Sequence, residues 1–95
     1  MAKVDPATLV VAEQDVVWCA LGTGSTLLNL DSNIYYRLNE VGTFIWNELA
    51  SPVTFGDLCR RTEQEFDAVP EQIREDVANL IARLDEASLV RCSRV

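Results

Sequence analysis

The chain has 95 residues, enough for one hydrophobic core, and is read as a single domain over residues 1–95. Apolar residues are 48% of it and charged residues 24%, which favours a globular fold over disorder. Fifteen Asp and Glu against eight Lys and Arg leave a formal charge of −7, a field that repels nucleic-acid phosphates and anionic membrane surfaces.

Strand signals occupy the first part of the chain. Residues 8–12 and Val16–Leu21 are rich in Val, Leu and Trp, and polar Glu13, Gln14 and Asp15 separate them, so two short strands joined by a turn are predicted. Gly22, Thr23, Gly24 and Ser25 read as a flexible connector; with no helix behind it, this GxG is a turn and lacks the rest of a phosphate loop. Residues 26–30 and Ile34–Leu38 flank the tight polar turn Asp31-Ser32-Asn33, which predicts a hairpin. Alternation in its second strand puts Ile34, Tyr36 and Leu38 on an apolar face, with Tyr35 and Arg37 on the other.

Helix signals take over from residue 39. Asn39 can cap a first helix carrying Val41, Phe44, Ile45 and Leu49 at helical spacing, and Pro52 prevents its continuation. Gly42 inside it costs ~1 kcal/mol against alanine and points to close packing on a strand. Thr54 with Asp57 resembles a capping box, opening a second helix with Phe55, Leu58, Cys59, Thr62 and Phe66 on one side. Pro70 and Glu71 suit the start of a third, whose stripe is Ile73, Val77, Leu80, Ile81 and Leu84. Leu89 and Val90 then close the core. This order predicts an α+β domain: a small antiparallel three-stranded sheet followed by three α-helices, in a winged helix-turn-helix-like layout.

Catalytic apparatus is not visible in the sequence. Histidine is absent, which removes the commonest general base, the commonest zinc ligand and every histidine-containing triad. Cys19, Cys59 and Cys92 form no CxxC pair and read as small hydrophobes of a reducing cytoplasm. Glu63 and Glu65, Glu75 and Asp76, and Asp85 and Glu86 are close in sequence, but adjacent helix positions diverge by about 100°, so they read as a solvated acidic face. The longest apolar run, Val16–Leu21, is far short of the ~20 residues that span a membrane, and the start MAKVDPATLVV lacks the pattern of a secretory signal. No metal, cofactor, nucleic acid or membrane is expected, and a cytoplasmic location is.

One arrangement has binding potential. A hairpin strand that runs straight into a helix can lie at a sheet edge, where unpaired N–H and C=O groups form a docking rail for an extended peptide. If the last helix packs across that edge, Asp76, Val77, Leu80, Arg83 and Leu84 form a second wall, with Tyr35 and Arg37 facing in from the strand. The same residues equally suit plain surface and core.

The run LLNLDSNIYYRLNEVGTFIWNEL, followed by TFGDLCRRTEQEFD and EDVANLIARLDEASLV, resembles the PqqD-like family of leader-peptide recognition domains. The carrying features are YYRLN-x-VG-x-x-IW and then DV-x-x-x-I-x-x-L, and the resemblance covers about residues 15–91. It implies a leader peptide bound as an added antiparallel strand between the third strand and the third helix. Carried onto this chain, that site comprises Ile34, Tyr35, Tyr36, Arg37 and Leu38 on the rail, and Asp76, Val77, Leu80, Arg83 and Leu84 on the helix. Val41, Trp46 and Leu49 match positions that read as packing.

The chain looks most like the stand-alone leader-binding subunit of lasso-peptide systems, a non-catalytic adaptor beside a separate leader peptidase and a cyclase. The alternative within the family is a peptide chaperone for a radical enzyme in pyrroloquinoline quinone synthesis. A winged-helix DNA binder and a structural subunit without a ligand are the readings from other classes, and the charge of −7 opposes the former.

Overall fold

The computed structural model describes residues 5–93. The chain runs β1 (Leu9–Ala12), β2 (Val16–Leu21), β3 (Gly24–Asn29), β4 (Ile34–Leu38), α1 (Glu40–Glu48), β5 (Val53–Thr54), α2 (Phe55–Glu65), α3 (Pro70–Glu86) and β6 (Val90–Ser93). The predicted three-stranded antiparallel sheet is the meander β2-β3-β4, and the three helices follow it. The α+β, winged-helix-like layout is therefore present. A second sheet, in the order β5-β1-β6, joins segments far apart in sequence.

The first two strands and the turn between them form as predicted, and the second sheet shows where each strand pairs. They do not share a sheet: β1 pairs antiparallel with β5 and β6, whereas β2 pairs with β3. The turn at residues 13–15 redirects the chain, and Val10 is fully buried. Its partners Val53 and Cys92 lie beyond the reach of any local pattern. The connector at residues 22–25 is also shorter than expected. Gly22, at φ +62°, makes the turn, and β3 begins at Gly24. A Cβ at Gly24 would collide with the carbonyl oxygen of Leu38, so glycine here permits β3 to close on the end of β4.

The helices begin and end where local chemistry directs. The Asn39 side chain accepts from the Gly42 N–H at 2.8 Å, and the Thr54 hydroxyl accepts from the Asp57 N–H at 3.2 Å. The Asp57 carboxylate pairs with Arg60 at 2.9 Å. Pro70 occupies the first turn of α3. That helix closes in a Schellman arrangement, with Leu89 N–H donating to Leu84 C=O and Ser88 N–H to Asp85 C=O. Ser88 takes φ +59°, a left-handed position usually filled by glycine.

Packing then sets depth. Ser25, Leu27 and Asn29 of β3 point inward under α1, with Leu38 of β4 beside them. The core continues through Ile45 and Leu49 of α1, Leu58 of α2, Val77, Ile81 and Leu84 of α3, and Leu89. Gly42 lets α1 approach β4: an added Cβ would sit 3.1 Å from Leu38 Cδ2. Ile34 departs from the expected apolar face. Alternation gives a side and not a depth, and at the turn end of the hairpin Ile34 stays 48% exposed.

Asn29 joins the hairpin to the helices. Its Oδ1 accepts from the N–H groups of Asp31 (2.8 Å) and Ser32 (3.2 Å), and its Nδ2 donates to Ser88 C=O at 2.9 Å. Replacing Asn29 by alanine should destabilise the fold by about 2–3 kcal/mol in urea unfolding, since two N–H groups and a carbonyl lose partners around a buried site. The substitution Gly24→Ala should cost about 1–3 kcal/mol by the same measurement and displace the end of β4, read as amide shifts at Leu38 and Asn39.

Candidate functional site: an open strand edge beside a helix

The meander has two edge strands, β2 and β4. Each leaves alternate backbone N–H and C=O groups without a ladder partner. Their surroundings differ. The residues of β2 from Val17 to Leu21 are all exposed. Along β4, the edge opens into a cleft of about 530 Å³ whose opposite wall is α3. A peptide on β2 would find a rail alone, whereas on β4 it would find a rail and a wall.

The cleft is assembled from three directions. Tyr36, Arg37 and Leu38 of β4 form one side, and Asp76, Asn79, Leu80 and Arg83 of α3 form the other. Val41, Gly42 and Ile45 of α1 contribute between them, with Phe66, Ala68 and Ile73 also on the lining. Phe66 is held edge-on against Phe44, with ring centres 5.6 Å apart and planes at 85°. Asp76, Leu80 and Arg83 share the cleft because steps of four and three residues return to one helix face.

Six of the ten candidate residues meet here: Tyr36, Arg37, Leu38, Asp76, Leu80 and Arg83. Val77 and Leu84 do not. Both have 0% exposure and lie in the core behind the helix surface. The helix stripe was broader than its buried part, and of Val77, Leu80 and Leu84 only Leu80 lines the opening. Ile34 and Tyr35 lie on the same strand outside the cleft, Tyr35 at 70% exposure. Among the residues missed were Val41, read as packing, together with Phe66, Ile73 and Asn79. Asn79 had a usable signal, since it lies three residues from Asp76 and four from Arg83; Phe66 had none, because the chain reverses after α2.

The electrostatics of the described residues place few charges in the opening. Asp76 accepts from the Gln72 amide at 2.9 Å. Every buried side-chain N or O atom among the described residues has a hydrogen-bond partner. No group of three His, Cys, Asp or Glu among them could hold a metal ion, and no helix of the described residues is long and apolar enough to cross a membrane. The cysteines are free thiols. Burial raises Cys59 from 9.0 to about 11, opposed by the charge of Arg74 and reinforced by Glu63. Burial, then Asp85, also raises Cys92.

Comparison with known proteins identifies the architecture. An α+β domain with a winged-helix-like meander and an open strand beside its last helix is the class defined so far. The sequence profile of the family described as Coenzyme PQQ synthesis protein D (PqqD) matches residues 24–90, and the chain belongs to that family. No curated protein matches the sequence. Two solved structures share the fold. "TbiB1 in Complex with the TbiA(beta) Leader Peptide" has a TM-score of 0.76 at 20% identity, covering 85% of this chain and 94% of its own. "Lasso peptide synthetase B1 complexed with the leader peptide" has a TM-score of 0.72 at 20% identity, covering 86% and 96%.

The thiols supply a test of the core packing. Because burial disfavours the Cys59 thiolate, its folded pKa of about 11 exceeds the ordinary 9.0, so its stabilisation is complete below pH 9 and is lost as pH rises through 11. The urea midpoint should therefore fall between pH 9 and 11, and fall less in Cys59→Ala. In the native protein at pH 8, iodoacetamide should alkylate exposed Cys19 and spare Cys59 until urea is added, as read by mass spectrometry of peptides.

Proposed function

We propose that this chain is a non-catalytic adaptor. It binds the leader segment of a ribosomally made precursor peptide as a strand added antiparallel to β4, and delivers it to a leader peptidase, with a cyclase acting afterwards, as in lasso-peptide systems. The observation that carries this reading is the cleft itself: an unpaired strand edge walled by α3 with an apolar floor. The two similar structures, both described as leader complexes, support it.

In this reading, the backbone of residues 36–38 supplies the hydrogen bonds, which are indifferent to sequence. Leu80, Val41 and Phe66 receive apolar side chains, and Asp76 and Arg83 border them. Ile34 and Tyr35 extend the rail toward the turn, while Val77 and Leu84 hold the wall in position. An extended leader loses conformational entropy on docking, which keeps affinity moderate. Delivery then works by effective concentration: a leader held on the adaptor places its cleavage region near the partner's active site without new chemistry.

A second reading rests on the family match, whose description names coenzyme PQQ synthesis: the same cleft would serve as a peptide chaperone for a radical enzyme. The two differ in the enzyme served and not in the binding step. DNA binding is disfavoured by α2, where Arg60 is paired with Asp57 at 2.9 Å and Arg61 with Glu48 at 3.1 Å.

Titration of the ¹⁵N-labelled protein with the leader of its precursor should shift amides in β4 and along residues 76–83 while those of β2 stay in place. Unmoved β4 and α3 amides at saturation would sink the assignment. Shortening Leu80 to alanine should weaken binding roughly 5- to 30-fold, the affinity equivalent of about 1–2 kcal/mol of lost apolar burial, by isothermal titration. Proline scanned through the leader should interfere with a period of two, because only alternate residues donate to β4.

A further inference from the structure

The charges bordering the cleft carry information that the backbone rail does not. Among the described residues, three arginines have committed partners: Arg60 to Asp57, Arg61 to Glu48 and Arg91 to Glu13. Arg37, Arg74 and Arg83 form no ion pair there. The charge of Arg74 acts on the Cys59 thiol, away from the opening. Arg37 and Arg83 both line the cleft, one from β4 and the other from α3. The acid beside them, Asp76, is hydrogen-bonded by Gln72 at 2.9 Å. A protein with a formal charge of −7 thus bears two cations against one acid on the walls of this opening.

Resting on the adaptor reading above, we propose that Arg37 and Arg83 select an acidic side chain in the bound peptide, so the ligand class is an extended segment bearing an Asp or Glu flanked by apolar residues. The physical reason is local. Backbone pairing along β4 fixes register only modulo the ladder repeat and is blind to side chains. A carboxylate that reaches both guanidiniums is satisfied in one register and lost in the others. Guanidinium suits the task, because its planar fork meets a carboxylate with two parallel N–H donors. At the scale of the whole molecule the −7 charge opposes an acidic ligand, but that repulsion is largely screened beyond about 8 Å at physiological salt, whereas a pair in contact is screened less.

The test uses the intact chain and a phage library of random 15-residue peptides, selected in parallel on wild type and on Arg37→Glu/Arg83→Glu. Both arginines are exposed, so the double variant is expected to fold, which its amide spectrum checks. Wild type should enrich peptides with Asp or Glu at one fixed position, and the charge-reversed variant should enrich Lys or Arg there. A synthetic copy of a wild-type-selected peptide with that acid changed to lysine should bind wild type about tenfold more weakly at low salt, with the gap narrowing at 0.5 M NaCl.

Selected peptides that shift β4 and α3 amides but show no acidic position would overturn the charge selection and leave the adaptor reading intact. So would peptides that bind both proteins equally. If neither protein enriches any peptide acting on β4, the adaptor reading falls and this inference with it.

Discussion

Asn29 is the residue on which the geometry of the cleft depends. One buried amide organises the turn that leads into β4 and grips the carbonyl of Ser88 at the end of α3. The strand and helix that face each other across the opening are therefore tied together at one end. At the other end, Gly24 lets β3 close on Leu38, and the Ser25 and Thr43 hydroxyls meet at 2.8 Å between β3 and α1. Between these points the wall and the rail border the cleft. A small domain keeps an open groove only if such ties resist collapse of its apolar lining.

The same arrangement accounts for an unsatisfied strand edge in a stable protein. Exposed edges invite unwanted pairing, and proteins usually shorten, charge or cover them. On β4 the edge is set back in a cleft, flanked by Arg37 and faced by α3. β2 has no such cover. From Val16 to Leu30 the chain bears no charged residue, and Val17, Trp18 and Leu21 remain exposed on the wing.

Much of the fold was legible because its causes are local. Alternation marked the hairpin from residue 26 to 38, the caps Asn39 and Thr54 marked helix starts, and Gly42 announced close packing on Leu38. The pattern offered β4 and α3 only as one possible groove, the family resemblance singled them out, and the profile match over residues 24–90 bears out the family. What failed was depth. Val77, Leu80 and Leu84 all fall on one stripe, yet only Leu80 turns toward the cleft, because the stripe is wider than the line along which α3 meets the sheet.

By itself the sequence determined the α+β class, the order of the hairpin and three helices, the acidic character and the residues able to form a rail. These follow from side-chain period, capping and charge, which neighbouring residues decide among themselves. Only the tertiary structure decided that β1 leaves the meander to join β5 and β6, that Ile34 is exposed, and that Phe66 and Asn79 enter the cleft. It also decided the condition on which the sequence reading of Arg37 and Arg83 hung, that α3 lies across the β4 edge, so that both residues line one opening 46 positions apart in sequence. Pairing and burial between distant segments depend on how whole elements pack, and no local pattern encodes which distant partner arrives.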